Sequence, residues 1–247
     1  MTEHRALKRA VRERAARTGE KYTAARRAVL AASSTTAATG AEEEFDRQVV
    51  RLVELGYAAA AGLSESAFTA HLQPLRSAAA ALDAGCDPER GRFGFVIVVR
   101  GALVPSPAAI ALVRRRGKAG FLSMLTPDEL ATFGPIESVA LPAGSAYLMS
   151  GIENGRSSLN VTPEAALAQI LAAGRSPLTV EEGIALITQF PEAVATNGGI
   201  SLAGSRCGDR RVTALWISKG APKLGWCWAG NPHAWLGVGS CEHRVGV

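Results

Sequence analysis

The residues best suited to chemistry lie close together near the C-terminus. Residues 206–243 hold three of the four cysteines, two of the four histidines and all four tryptophans. A cysteine thiolate, a histidine base and a group that orients the imidazole would together form a nucleophilic site. Asp209 would orient the ring, with Asn231 as the alternative. The catalytic candidates are therefore Cys207, Asp209, Cys227 and His233.

The same segment contains tryptophans interleaved with arginines. This combination suits stacking on a base, a sugar or a cation, and bidentate binding of a carboxylate or phosphate. Two structural interpretations remain open: the tryptophans form the core and lid of a β-hairpin, and the arginines form a turn held by an Asp–Arg pair. The ligand-binding candidates are Arg206, Arg210, Trp228 and Asn231.

A zinc site is a further alternative for this segment. Three thiols and one imidazole would complete a tetrahedral Cys₃His site. The spacings are 20, 6 and 8 residues, and none of them is the short spacing typical of a structural zinc motif. We therefore assign no metal ligands from the sequence and leave the cofactor open. The four residues in question are Cys207, Cys227, His233 and Cys241.

The charge of the chain is concentrated at its start. The formal net charge is +5, yet residues 1–32 carry nine basic and three acidic side chains, a net charge of +6. The remaining residues hold 18 basic and 19 acidic side chains, a net charge of −1. A basic block on a nearly neutral body indicates a polyanionic partner, either nucleic acid or an anionic membrane surface. The candidate phosphate contacts are Lys8, Arg9, Arg12, Arg17, Lys21, Arg26 and Arg27.

Residues 1–32 are predicted to form a basic helical hairpin, which we call the arm. Residues 4–17 and 22–32 favour helix, and Gly19 lies between them as a helix-terminating residue. The apolar stripe of each helix is too thin to bury a core, so the arm must dimerise, dock on the body or dock on a ligand. Residues 33–43 are predicted to be a flexible linker.

The body, residues 44–247, is predicted to be an α+β domain rich in helices. Amphipathic helices come first, including one that continues through the alanine-rich residues 77–82. Buried strands are predicted at 93–99 and 147–152, and the C-terminal strands, including a hairpin over 212–228, complete a mixed sheet. Capping boxes at Thr126 and Thr179 predict two further helix starts.

Three consecutive arginines, Arg114 to Arg116, precede Gly117 at the end of a predicted short helix. Cations at a helix C-terminus interact favourably with the helix dipole, so a solvated cap explains them. A second anion site is the alternative.

Several classes of protein are excluded or disfavoured by the sequence. No apolar run reaches 18 residues without a charge, which argues against a membrane span, and the N-terminal residues lack a secretory apolar region. The common nucleotide, hydrolase and metalloprotease motifs are absent. Four cysteines do not make a disulfide scaffold in so long a chain, so we expect a cytoplasmic protein with reduced thiols.

The body resembles a family of uncharacterised actinobacterial proteins that is classed as a domain of unknown function. The most specific shared sequence motifs are Leu215–Ser218 and Gly225–His233, and another is Ser205–Val212. Shorter ones occur at 45–57, 159–163 and 174–179. The resemblance covers most of the body and implies no particular activity.

The arm is similar to the two helices of ribbon-helix-helix DNA-binding proteins. The similarity lies in Leu7–Gly19 and in a second helix that holds Tyr22, Ala25 and Ala28. That fold reads bases with a strand before the first helix, whereas only three residues precede it here. The resemblance therefore implies phosphate contact without base recognition.

Three functions follow as hypotheses. In the first, which we favour, the protein associates with nucleic acid through the arm, and the body senses or docks. In the second, it is an enzyme with an Arg/Cys/His/Trp pocket within residues 205–241. In the third, it is a non-catalytic interaction module whose arm docks a protein partner or a second copy.

Overall fold

The structure is a computed structural model that describes residues 40–247 together with Arg12, Ala15, Thr18 and Tyr22. The chain divides into two compact units, Met1–Thr39 and Gly40–Val247. The four isolated residues are helical, and Arg12 is exposed. The predicted arm and its resemblance to ribbon-helix-helix proteins otherwise lie outside the described residues. So do the phosphate candidates Lys8, Arg9, Arg17, Lys21, Arg26 and Arg27.

The helices of the second unit are short, and half of the eight α-helices within residues 40–247 begin at a side-chain cap. Ser64, Thr126, Thr162 and Thr179 each accept a main-chain N–H at a helix start. The predicted capping boxes at Thr126 and Thr179 are both confirmed. The α-helices of residues 40–247 are α1 (Ala41–Glu54), α2 (Tyr57–Ala60), α3 (Glu65–Leu72), α4 (Arg76–Ala79), α5 (Ser106–Leu112), α6 (Pro127–Ala131), α7 (Pro163–Ala172) and α8 (Val180–Gln189).

The strands alternate with these helices and dominate the C-terminal third. The predicted strands at 93–99 and 147–152 and the hairpin over 212–228 are all present. The strands are β1 (Cys86–Asp87), β2 (Arg92–Val99), β3 (Arg114–Arg115), β4 (Lys118–Ala119), β5 (Phe121–Leu122), β6 (Gly134–Pro135), β7 (Ala146–Glu153), β8 (Ser176–Pro177), β9 (Gly199–Leu202), β10 (Ser205–Arg206), β11 (Arg211–Ser218), β12 (Ala221–Trp228), β13 (Leu236–Val238), β14 (Ser240–Cys241) and β15 (His243–Val245).

Two sheets form the frame of an α+β body. The first has the order β1-β2-β7-β14-β8, with β15 also pairing with β7, and its pairs are antiparallel. The second has the order β13-β9-β11-β12-β5 and is mixed, because β13 and β5 pair in parallel with their neighbours. The β3–β4 hairpin and the pair of distant strands β6 and β10 each form a separate two-stranded sheet.

The core lies around α8, which contacts both sheets. Ile184, Leu186 and Ile187 of this helix are buried, and so is the polar Glu182. A methyl group on Gly183 would come within 2.4 Å of Leu202 on β9, so this glycine allows the helix to approach the second sheet closely.

Three sequence expectations need correction. The helix that starts after Ser64 does not run through 77–82: it ends at Leu72, because Pro74 introduces a 3₁₀ turn before the short α4. α5 ends at Leu112 rather than after Arg116, and α1 begins at Ala41, inside the predicted linker.

Among the described residues, no helix is both long and apolar enough to cross a bilayer.

Candidate functional site

Asp209 organises the turn between β10 and β11. Its carboxylate accepts hydrogen bonds from the main-chain N–H of Arg211 at 2.7 Å, from the Arg211 guanidinium at 2.7 Å and from the Cys207 thiol at 3.2 Å. These donors lower the pKa of Asp209 to about 2. The arrangement matches the predicted turn held by an Asp–Arg pair, with Arg211 as the arginine.

The two arginines predicted to bind a ligand have protein partners. Arg206 donates to the main-chain carbonyl of Asp209 at 2.9 Å, and its buried Nε has no hydrogen-bond partner among the described residues. Arg210 lies 3.6 Å from the carboxylate of Glu164, at the start of α7. The Arg210 guanidinium therefore lies near a carboxylate of the protein, whereas the sequence predicted that it would bind an anionic ligand.

Cys227 and His233 lie in different surroundings. The Cys227 thiol is 3.5 Å from the Ser201 hydroxyl, and burial raises its pKa. The His233 ring packs against Trp235 at 5.4 Å between ring centroids, and its buried Nε2 has no hydrogen-bond partner among the described residues. This ring nitrogen therefore accepts no hydrogen bond from either candidate thiol, Cys207 or Cys227, in the structure.

The cysteines and His233 also do not assemble the zinc site considered above. In the part of the chain that the structure describes, no three His, Cys, Asp or Glu side chains are placed to hold a metal ion. Cys241 is fully buried on β14, and burial together with the nearby Glu182 carboxylate raises its pKa to about 12. Its surroundings thus keep the thiol protonated.

Trp228 and Asn231 do come together at the end of the β11–β12 hairpin. Trp228 is 47% exposed and packs edge-on against Trp226, with the ring centroids 4.8 Å apart. The N–H of Asn231 donates to the Trp228 carbonyl at 3.2 Å. Both side chains are exposed, and Trp228 pairs with Arg211 in the strand register.

A cleft of about 350 Å³ lies elsewhere, between α5, α6 and the start of α8. It is large enough for a small ligand. Arg100 and Glu181 face each other in it, with Nε and Oε2 3.7 Å apart, and Phe133 and Leu141 contribute apolar surface. Among the residues that line this cleft, only Ser205 belongs to the 205–241 segment. The sequence did not predict this cleft, because its lining comes from separate stretches of the chain.

Two neighbouring hairpin turns of the body carry a cluster of basic side chains. Arg116 and Gly117 join β3 to β4 with φ of 49° and 79°, and Lys219 and Gly220 join β11 to β12 with φ of 51° and 81°. Two successive residues with positive φ are typical of type I′ turns. The Lys118 ammonium donates to the Lys219 carbonyl at 2.6 Å, which joins the two turns.

We call the basic side chains at these turns the double-turn patch. Within residues 40–247, none of them forms an ion pair with a carboxylate. The pKa of Arg115 is lowered by burial and by the neighbouring charge of Arg116, which shows that like charges are crowded here. The patch consists of Arg114, Arg115, Arg116, Lys118, Lys219 and Lys223.

The arginine run therefore does two things. Arg114 donates to the carbonyls of Ala111 and Val113, so it caps the end of α5 as the solvated-cap interpretation expected. Arg115 and Arg116 turn away in the β3–β4 hairpin and join the double-turn patch. The sequence carried a signal for this patch, because residues 90–127 and 210–241 contain no Asp or Glu.

Aromatic rings continue from the patch across one face of the second sheet. Phe121 pairs with Lys223, and Lys223 pairs with Trp216, so the three side chains lie on the same face. The Lys223 ammonium is 4.8 Å from the Trp216 ring, and the Trp216 and Trp235 rings are 6.1 Å apart. We call Phe121, Trp216, Trp235 and His233 the aromatic row.

Glycines on both sides make room for Trp216. A methyl group on Gly225 would lie 2.6 Å from the far edge of the indole, and one on Gly199 would lie 3.2 Å from the Trp216 Cβ. The indole therefore lies across the neighbouring strands and remains partly exposed. Phe121, at the edge of the sheet, is 39% exposed.

Comparison with known proteins identifies a family and no characterised relative. A family model described as a family of unknown function (DUF5701) matches residues 51–247. No curated protein and no solved structure matches the chain. The match leaves out the arm, so the features that the family shares must be sought in the body.

Proposed function

We propose, for a chain that belongs to the DUF5701 family of unknown function, that it associates with nucleic acid through the body as well as through the arm. The observation that carries the proposal is the double-turn patch. Six cations lie in two adjacent turns or on the strands beside them, and none of them pairs with a carboxylate within residues 40–247.

The patch is exceptional for the body in which it lies. Residues 33–247 have a net charge of −1, and most other described arginines of the body have acidic partners, such as Glu153 for Arg92 and Glu181 for Arg100. Unpaired like charges at one place create a positive potential that attracts a polyanion and speeds its association. Phosphates bound there would relieve the repulsion among the six cations.

The arm supplies a second basic segment of +6 on the same chain. Lysine and arginine contacts to phosphates act independently of base sequence and release counterions, so binding weakens steeply with salt. Two basic segments on one chain would add their phosphate contacts. We therefore expect binding with little sequence preference and a strong dependence on salt.

The test is to measure binding of the full chain to duplex and single-stranded oligonucleotides at several salt concentrations. The Arg116→Asn/Lys219→Asn variant removes two patch charges, and asparagine tolerates the left-handed conformation of both positions. If both cations contact phosphates, the log–log salt slope should become shallower by about 2.

The matched control is Arg90→Asn/Arg92→Asn, which removes two charges from the first sheet, where both arginines face carboxylates. It should leave the slope nearly unchanged. A variant with Lys8, Arg9 and Arg12 changed to glutamine tests the arm in the same way. Failure of the full chain to bind any oligonucleotide at low salt would reject the proposal, as would binding confined to anionic lipid vesicles.

The cleft favours a second candidate, in which the body binds a small ligand or acts as an enzyme. Arg100 and Glu181 present a guanidinium and a carboxylate beside apolar walls, and the buried Nε of Arg100 lacks a hydrogen-bond partner among the described residues. A ligand of the cleft would be found by screening small amines and carboxylates and recording ¹H–¹⁵N spectra of the protein with each compound. Shifts confined to the amides of Gly101, Val180 and Glu181 would support it, and unchanged spectra would reject it.

A further inference from the structure

The basic and aromatic residues of the body lie close together, and their arrangement bears on which form of nucleic acid it would bind. Lys118 and Phe121 belong to adjoining strands, and Lys219 follows Trp216 by three residues. The double-turn patch and the aromatic row therefore share the β11–β12 hairpin, which carries Lys219 and Lys223 of the patch and Trp216 of the row. A strand of nucleic acid that lies on the patch would meet the row next.

We propose that the aromatic row is a stacking platform for the bases of a single strand, whose phosphates lie on the double-turn patch. This inference rests on the proposed function and deepens it. Single-stranded nucleic acids are bound by surfaces that combine a basic track with aromatic side chains on which successive bases stack. In a duplex the base faces are already stacked on each other and are not available to such a surface.

The spacing of the row suits successive bases. Trp216 and Trp235 are 6.1 Å apart, and Trp235 and His233 are 5.4 Å apart. Phe121 lies two strands away from Trp216, about 10 Å across the sheet. The row thus offers four rings in sequence, on which successive bases of one strand can stack.

The charge around the row also favours a polyanion. Lys223 lies between Phe121 and Trp216 in the strand register, and its ammonium is over the Trp216 ring. No acidic residue occurs in residues 90–127 or 210–241, which supply the patch and the row. A phosphate that approached Lys223 would meet no carboxylate from these two stretches.

The experiment compares three anionic probes on the full chain at one salt concentration. They are a 12-nucleotide deoxythymidine strand, a 12-base-pair duplex and inorganic polyphosphate, which has charge but no bases. We expect the single strand to bind at least tenfold more tightly than the duplex. Polyphosphate should bind through the patch alone.

Phe121→Ala should weaken single-strand binding by roughly 5- to 150-fold, the range expected for loss of one stacked base. It should leave polyphosphate binding and the salt slope unchanged, because it removes no charge. Phe121→Tyr, which keeps the ring, should restore single-strand binding. The matched control is Leu171→Ala, which also removes an exposed apolar side chain but lies on α7, outside the second sheet.

The outcomes separate the two proposals. If polyphosphate or the duplex binds as tightly as the single strand, or if Phe121→Ala behaves like Leu171→Ala, the stacking inference is wrong while the phosphate-binding proposal stands. If none of the three probes binds, both are wrong. A preference for the single strand that is lost in Phe121→Ala and restored in Phe121→Tyr supports the inference.

Discussion

The ammonium group of Lys118 donates a hydrogen bond to the main-chain carbonyl of Lys219 at 2.6 Å. The two residues are 101 positions apart in the chain, and each lies in or next to a type I′ turn. This bond joins the β3–β4 hairpin to the β11–β12 hairpin. Lys118 therefore contributes both a charge and a fixed position for the neighbouring charges.

The first prediction concerns this double role. Lys118→Met should weaken nucleic-acid binding more than Arg116→Asn does, although each variant loses one positive charge. The physical reason is that only Lys118→Met also releases the two turns from each other. Dissociation constants at one salt concentration, with melting temperatures as a check on folding, will measure the difference. Equal losses would show that Lys118 acts through its charge alone.

The second prediction concerns a buried ion pair between α8 and the first sheet. Arg244 of β15 contacts both oxygens of Glu182, at 2.5 and 2.9 Å, and the Tyr147 hydroxyl donates to the same carboxylate at 2.8 Å. Both charged side chains are almost fully buried. Arg244→Met should lower the free energy of unfolding by about 3–5 kcal/mol, because it leaves a carboxylate buried without its cation.

Urea denaturation will measure this effect. Asp87→Asn is the control, since it breaks the exposed Arg90–Asp87 pair and should cost less than about 1 kcal/mol. Addition of Glu182→Gln to Arg244→Met should recover part of the loss. A loss for Arg244→Met as small as that of the control would contradict the argument.

The third prediction concerns the edge of β2. The side-chain amide of Gln48 donates to the Phe95 carbonyl at 2.9 Å and accepts the Ile97 N–H at 2.8 Å. A side chain of α1 thus takes the place of a neighbouring strand and covers the sheet edge. Gln48→Leu should destabilise the protein by about 2–4 kcal/mol, because both main-chain groups lose their partner in a buried place.

Thermal and urea unfolding of Gln48→Leu will test this, with the exposed Gln73→Leu as the matched control. The opened edge should also make Gln48→Leu more prone to aggregate, which light scattering will report. Stability equal to that of the control would mean that water or a small backbone shift replaces the lost bonds.

The fourth prediction concerns acid. The folded-state pKa of Asp209 is about 2, below the value of about 3.9 for an unfolded chain. The carboxylate therefore stabilises the fold above pH 4, and this contribution is lost as the pH falls through 2. Asp209→Asn should remove that component, so its urea midpoint should fall less steeply than that of the unmodified chain between pH 4 and pH 2. Parallel curves would show that Asp209 is not coupled to folding.

The fifth prediction concerns Cys227, one of the two candidate nucleophiles, together with the buried Cys241. Burial raises the pKa of Cys227, and it raises the pKa of Cys241 to about 12, so neither thiol is activated for attack at neutral pH. Iodoacetamide should modify both slowly in the native protein and rapidly in urea, as mass spectrometry of peptides will show. Fast native modification of Cys227 would favour the cysteine-nucleophile hypothesis instead.

Much of the local structure could be predicted because its signals are local. The capping boxes at Thr126 and Thr179 each depend on residues three positions apart, and the β11–β12 hairpin was predicted from a turn signal at 220–223 between two apolar runs. The turn itself lies slightly earlier, at Lys219-Gly220, and Ala221 to Lys223 already belong to β12. The predicted continuation of α3 through 77–82 was wrong, because Pro74 interrupts the helix before the alanine-rich residues begin. The arginines after α5 were misplaced because Arg116-Gly117 was not recognised as a turn.

The sequence by itself determined the α+β class, the main strands and helix starts, and the concentration of charge in residues 1–32, since these depend on composition and on neighbours in the chain. Only the tertiary structure decided which distant stretches meet. It separated Cys227 from a base at Nε2 of His233, and it brought Lys118 against Lys219. It also placed Phe121, Lys223 and Trp216 on one face. Strand register determines such contacts, and register follows from packing across the whole sheet, which no single stretch of sequence encodes.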